Sequence, residues 1–500
     1  MDKKPNILFI VSDQMVAALT GAYGHPVVQT PHLDRLASEG VRFDSAYAPF
    51  PLCAPGRACI TAGRHASEIG AWDNGALFAA DQSSYPHYLS NAGYDTVLSG
   101  KMHFVGPDQL HGFHRRLTTD IYSSDVSAMP EWIAIKENQG RDPEQIMEER
   151  RQYNSRYYVG GDLQIDTWHN ALSYDEEAHF RAREYLRAHG QKQDDQPFFL
   201  CASYHHPHEP FWPPQEYWDL YEGAEIAIPD FPANLDDTYS AMDCGLNAYH
   251  GTRRNDLRNP DGLYRLRRAY YGLVTYIDRK VGELLADLEN SGLLDHTVVV
   301  FTSDHGDMLC DKEMVQKRCF YEWSCRVPLL ARFPDQWKAG TVCDTPVSLL
   351  DLLPTFCELA GTKASLPHDG DSLLPIVDGA DGDRHIFAQS HEAVGMPCIM
   401  ARQGPYKYNY MHGFEPQLFD LSADPGEWNN LADNPQHRET TERLRALILD
   451  RFDPDAIAAA NLDSLYRRRL IRETMRRHNL SWTHYPGFNA RRGTLEQYLP

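Results

Sequence analysis

The chain is short of positive charge. Lysine and arginine total 48 against 70 aspartates and glutamates in 500 residues, a formal net charge of −22. Nucleic acid or an anionic membrane surface would require a basic face, so neither partner is expected. Long apolar runs are also lacking, and none approaches the length of a membrane-spanning helix. The run at residues 7–11 is too short for the core of a secretory signal, and no small-residue cleavage site follows it. A cytoplasmic protein is therefore expected. Cysteine is sparse, ten in all with no C-x-x-C pair, which excludes a disulfide framework and leaves mostly reduced thiols. Internal repeats and low-complexity tracts are absent.

What the chain does have is alternation. Residues 6–12 are a continuous apolar run, the pattern of a strand buried on both faces, and residues 95–99, 197–203 and 297–303 read as further strands. Between them lie helical patterns. One begins at Thr30 as N-cap with Pro31 at the first helical position, and Gly40 ends it. Others cover residues 86–92, 176–189, 263–288 and 348–359. Residues 126–173 read as a polar, aromatic insertion over the site, and 209–260 as a long loop region. The expected fold is α/β, a large mostly parallel sheet flanked by helices. After residue 383 short strands and a helix predict a small antiparallel sheet plus helix subdomain (384–452). A C-terminal tail (453–500) follows, with arginines on a helix and then an aromatic end.

In such sheets ligands bind beyond the carboxyl ends of the strands. Asp13, Lys101, His208 and Asp304 all fall at or just past such ends. Asp13, Gln14, Asp304 and His305 together offer three oxygen-bearing groups and one imidazole, a set suited to Ca²⁺, Mg²⁺ or Mn²⁺. Lys101 and Lys317 can neutralise a bound oxyanion, and His103 and His208 can move protons near neutral pH. Taken singly, each is an ordinary loop acid, solvated lysine or structural histidine. Cys53 lies just ahead of an expected helix that has Pro55 in its first turn and Arg57 soon after. The N-terminus of a helix is a place where an anion can sit.

The string Cys53-Ala54-Pro55-Gly56-Arg57, with Ala62-Gly63-Arg64 downstream, resembles the C-x-P-x-R signature of type I sulfatases, members of the alkaline-phosphatase-like superfamily. Asp13-Gln14, Gly100-Lys101-Met102-His103, Pro207-His208-Glu209-Pro210, Ser303-Asp304-His305-Gly306 and Lys317 follow in that family's order. The resemblance implies that a maturation enzyme oxidises Cys53 to Cα-formylglycine, whose hydrate is the nucleophile. It implies that Asp13, Gln14, Asp304 and His305 bind a divalent metal together with the modified Cys53, with Ca²⁺ the first choice. It implies further that Arg57 holds the diol, that Lys101 and Lys317 bind sulfate, that His103 takes the second hydroxyl's proton, and that His208, with Lys317, protonates the leaving alcohol. The Asp-Gln and Asp-His pairing is similar as well to the phosphonate monoester hydrolases, which share the fold and the formylglycine.

Within the family, residues 99–122, Trp72-Asp73-Asn74 and the tail from Asp453 resemble the choline sulfatases. That implies a small-molecule sulfate ester such as choline-O-sulfate, and a homo-oligomer, dimer or tetramer. A quaternary ammonium needs aromatic faces and a carboxylate. Trp72, Tyr122, Trp132 and Glu392, with Asn74, are the candidate substrate-binding residues. The basic His114-Arg115-Arg116 and the insertion keep a sulfated sugar open as the substrate. The remaining alternatives are a phosphonate or phosphodiester hydrolase on the same residues, and a silent ligand-binding homologue with Cys53 unconverted.

Overall fold

Asn6–Asp13 forms β1, wholly buried, at the middle of the main sheet. It pairs in parallel with β6 (Phe198–Pro207) on one side and β7 (Thr297–Ser303) on the other. The computed structural model describes residues 4–130, 154–158, 163–192, 195–333, 336–380, 383–391, 395–480 and 482. Beyond β6 lie β4 (Asp95–Gly100) and the short β5 (Arg115–Arg116), both parallel. On the β7 side β8 (Leu329–Arg332) runs antiparallel to both β7 and β2 (Val41–Phe43), and β9 (Thr341–Cys343) closes the edge parallel to β2. The sheet has eight strands in the order β5-β4-β6-β1-β7-β8-β2-β9, mostly parallel as expected.

Its two faces are covered separately, which is why the central strands read as unbroken apolar runs. Leu8, Ile10, Val299 and Phe301 pack against α3 (Asn170–Gly190) and the long α5 (Pro260–Asn290). Ile7, Phe9, Val298 and Val300 pack against α2 (Cys53–Ala62) and α6 (Leu352–Leu359). All ten residues of α2 are buried. Helix α1 (Pro31–Glu39) starts after Thr30 as expected, but the Thr30 hydroxyl does not cap it. That oxygen accepts from the Gly21 N–H and donates to Asp34.

Two expectations need correction. Residues 209–260 are not a plain loop region, because they hold the helix Gln215–Asp219 and α4 (Ala241–His250). Ser240 and Asp243 close a reciprocal capping box at the start of α4. Residues 348–359 do not begin as a helix either. Val347–Ser348 pairs with β3 (Ala46–Tyr47), and one 3-10 turn precedes α6.

Past residue 383 a separate four-stranded antiparallel sheet forms from His385–Ser390, Cys398–Gln403, Tyr406–Met411 and Gln417–Asp420. Helix α7 (Arg438–Arg451) packs on it through Leu444 and Ile448. The tail then continues as α8 (Pro454–His478), with the Asp453 side chain accepting from the Ala456 N–H at its start. Among the described residues, no helix is long and apolar enough to cross a membrane.

Candidate active site

The register of the sheet assembles the site. Ser12 faces Ser303 across β1 and β7, so Asp13-Gln14 and Asp304-His305 leave adjacent strand ends together. On the other side of β1, β6 and β4 bring His208 and Lys101 to the same edge. Gly100 makes the last step of β4 possible. It has φ 107°, and a Cβ there would stand 1.8 Å from the Ser203 carbonyl oxygen.

Cys53 is the first residue of α2, not ahead of it, and is 2% exposed. Its Sγ lies 3.2 Å from His305 Nε2 and 3.7 Å from Asp13 Oδ1. One ligand atom from each of Asp13, Cys53, Asp304 and His305 falls within 4.8 Å of the others, all buried. The donor chemistry fits a divalent cation. His305 Nδ1 is 2.9 Å from the Gly306 carbonyl, which accepts its N–H and leaves the Nε2 lone pair facing the carboxylates. Burial by itself would raise the Asp13 carboxyl, but Lys101, His208 and Arg57 outweigh it and hold Asp13 well below the usual carboxylate range.

Arg57, fully buried, stands behind this cluster. Nε donates to Asp304 Oδ2 at 2.7 Å, Nη2 to Asp13 Oδ2 at 3.1 Å, and Nη1 to the Lys101 carbonyl and Ser203 Oγ. Its hydrogen bonds thus go to the two carboxylates and the strand ends, where the family resemblance had placed it on the diol. Lys101 Nζ is 2.5 Å from Asp13 Oδ2 and lies over the Tyr122 ring, 4.5 Å from its centroid.

Gln14 is oriented by acids. Its amide nitrogen donates to Glu209 Oε2 at 2.8 Å and to Asp307, and its carbonyl oxygen accepts from Lys317. Asp307 also accepts from the Tyr158 hydroxyl at 2.5 Å, and burial, then Glu209, push its carboxyl up to about 7. Glu209, Asp307 and Tyr158 are residues that sequence reasoning passed over. Lys317 Nζ is 2.9 Å from His208 Nε2, while His208 Nδ1 faces the Glu209 carbonyl at 2.9 Å. Burial, then Lys317, push the His208 imidazole well below its ordinary value.

Gln14 (φ 69°), His103 (φ 53°) and the two chain neighbours of Lys317, Gln316 (φ 63°) and Arg318 (φ 89°), have left-handed backbones. Such conformations cost on the order of 1–3 kcal/mol each and persist where surrounding bonds enforce them. Asp304 Oδ1 accepts the Gln14 N–H at 3.1 Å, and Asp120 Oδ2 accepts those of Met102 and His103 at 3.0 and 2.8 Å. The His103 ring stacks on Tyr122 with centroids 4.4 Å apart, and its Nδ1 is buried without a hydrogen-bond partner among the described residues.

A cleft of about 450 Å³ opens over Cys53, with His103, Tyr122, His208, Glu209, Lys317 and Arg318 among its lining. Asn74 lines it too, accepting the Ala54 N–H at 3.0 Å. From the insertion, Ser127, Ala128, Pro130 and Tyr157 contribute walls. Trp72 does not line the cleft. It is buried in the cluster with Ile399 and Tyr408, edge-on to His391. Trp132 and Glu392 lie outside the described residues.

The chain matches the family model described as Sulfatase over residues 5–362, and the model described as N-sulphoglucosamine sulphohydrolase, C-terminal, over residues 311–452. A choline-sulfatase of Rhizobium meliloti (strain 1021) is 36% identical over 500 residues, covering 97% of this chain and 94% of the relative. An arylsulfatase of Clostridium perfringens (strain 13 / Type A) is 29% identical over 465 residues, covering 90% and 95%. Among solved structures, the phosphonate monoester hydrolase of Agrobacterium radiobacter superposes with a TM-score of 0.71 at 23% identity, covering 92% of this chain and 96% of that one. That likeness is one of fold.

Proposed function

This chain belongs to the sulfatase family, of alkaline-phosphatase-like fold, and on that premise we propose that it hydrolyses the sulfate monoester of a small alcohol, choline-O-sulfate or a similar alkyl sulfate, through a Cα-formylglycine made from Cys53. The observation that carries the reading is the placing of Cys53. Its sulfur stands among the two carboxylates and the imidazole, with two lysine amines close by and a cleft above.

Asp13, Gln14, Asp304, His305 and residue 53 would hold the divalent cation, Ca²⁺ first and Mg²⁺ or Mn²⁺ as alternatives. When bound, the cation acidifies a hydroxyl of the formylglycine hydrate and so supplies the nucleophile at neutral pH. Arg57 aims the two aspartates and helps hold Asp13 charged. Lys101 and Lys317 offer N–H donors to sulfate oxygens, in a dry site where such donors act strongly. Lys317 and His208 form one hydrogen-bonded unit able to deliver a proton to the departing alcohol oxygen. His103, which lines the cleft with residue 53, would accept the proton from that residue's second hydroxyl. The leaving group would sit between Tyr122, Asn74 and the 127–130 wall. A formylglycine-generating enzyme is the partner this reading requires.

Mass spectrometry of the peptide containing residue 53 tests the nucleophile, and an unmodified thiol in turning-over protein would sink it. A second reading, a phosphonate monoester hydrolase, has one specific support, the Asp-Gln and Asp-His donor pairs at a site of this fold. Comparing kcat/KM for choline-O-sulfate, a sulfated sugar, an aryl sulfate and an aryl phosphonate separates the readings. A large preference for the phosphonate would replace the first with the second.

A further inference from the structure

Helix α8 reaches the cleft from behind. Arg468 is 2% exposed and forks onto Asp73, with Nη1 2.6 Å from Oδ1 and Nη2 2.7 Å from Oδ2. Its Nε donates to Ser464, one turn back on the same helix, and Asp73 also accepts the Gly75 N–H at 2.8 Å. The residue between, Asn74, lines the cleft and holds the Ala54 N–H in the first turn of α2, next to Cys53. One turn further along α8, Arg472 Nη1 donates to the Met129 carbonyl at 2.9 Å. Met129 sits between Ala128 and Pro130, both cleft residues, and Leu465 packs with Met129 and the cleft residue Tyr249. The two walls also press on each other, since a Cβ on Gly75 would stand 2.4 Å from the Met129 nitrogen.

We propose that α8 is a clamp on the outer wall of the cleft, with Arg468 its main positioning residue. A bidentate guanidinium–carboxylate pair fixes direction as well as distance. The loop Asp73-Asn74-Gly75 is a single turn outside any helix or strand, closed by the Ala76 N–H on the Asp73 carbonyl, and its place against α2 is set by the Asn74–Ala54 bond together with that pair and the contact at Met129. Arg468 touches no reacting atom. It acts through Asp73 and Asn74 on the space left for the alcohol. The inference rests on the reading of Cys53 as the reacting residue.

The test uses the full chain co-expressed with the maturation enzyme, carrying Arg468→Gln, Asp73→Asn, both together, or Arg468→Lys. Activity on choline-O-sulfate is normalised to the aldehyde content at residue 53. A positioning role predicts that KM rises about tenfold in each single variant while kcat stays within about threefold, because binding in the cleft and not the chemistry is disturbed. The double variant is no worse than either single, since both remove one interaction. Arg468→Lys recovers part of the loss. Inhibition by free sulfate is unchanged, and amide exchange quickens at residues 72–78 and 126–130 but not in β1.

An unchanged KM, with kcat falling only in step with the folded fraction, would overturn the clamp. So would additive singles, or unchanged exchange at 72–78. If the unaltered chain turns over no sulfate ester, the reading of the site has failed, and the exchange comparison still decides the clamp.

Discussion

The Cys53 sulfur stands 3.2 Å from Nε2 of His305, the ring nitrogen left without a proton by the Gly306 carbonyl. A thiol there has a ligand position but no hydroxyl to attack with. Cys53→Ala is therefore expected to lower kcat/KM by on the order of a thousandfold or more, while thermal unfolding shifts little. Asp13, Asp304 and His305 remain, so the variant should still take up metal, measured as bound cation after gel filtration.

Chelation should abolish turnover and lower the unfolding temperature. Readdition of Ca²⁺ should restore both, and Mg²⁺ and Mn²⁺ are the cations to compare. A cation that binds only the folded cluster should raise apparent stability with the logarithm of its free concentration, by about 1.4 kcal/mol per tenfold above Kd. An unfolding temperature independent of the added cation would contradict the assignment.

Arg57→Met removes the cation that two buried carboxylates share. Breaking a buried pair in this way costs about 3–5 kcal/mol, read as a lower denaturation midpoint. Added Ca²⁺ should recover part of the loss, since it compensates the same carboxylates. A loss that Ca²⁺ leaves untouched would place Arg57 apart from the cation site.

Gln14→Glu puts a third carboxylate against Glu209 and Asp307 and deletes the two N–H groups they accept. The expected result is weaker metal binding and a lower unfolding temperature at pH 8, with recovery near pH 6 as the crowded acids take up protons. Gln14→Asn, which keeps an amide, should show no such pH-dependent recovery.

His391 tests burial alone. Wedged edge-on between Phe50 and Trp72, its imidazole is pushed down to about 3 by burial. The unfolded chain takes up a proton near pH 6.5, and the folded one does not until about 3. Stability is thus fully present above pH 6.5 and falls as pH drops toward 3, by up to about 1.4 kcal/mol per pH unit for this group. His391→Phe should flatten that acid limb in urea titrations between pH 7 and 4.

The central strands were legible because a strand covered on both faces leaves no polar alternation, as at residues 6–12 and 297–303. The ligand edge was legible because an acid, lysine or histidine stands at or a few residues past the end of each run, as at Asp13, Lys101, His208 and Asp304. Helix α4 was hidden because its signal, Ser240 with Asp243 three residues on, sits among Pro, Asp and Asn that also mark loops. The supports of Gln14 left no local trace. Tyr158, Glu209 and Asp307 lie 144, 195 and 293 residues from it and meet only through the sheet. Trp72 misled by adjacency. It and Asn74 share a loop, but one side chain enters the core and the other the cleft.

The complete burial of α2 has a bearing on timing. Cys53 is 2% exposed on a helix enclosed along all ten residues, so an enzyme that modifies its thiol would have to act before that helix packs. On the proposed reading, conversion at Cys53 would belong to the interval between synthesis and folding. The fraction of active molecules would then be the outcome of a kinetic race, so slower folding in the cold or more maturation enzyme should raise specific activity without altering the fold.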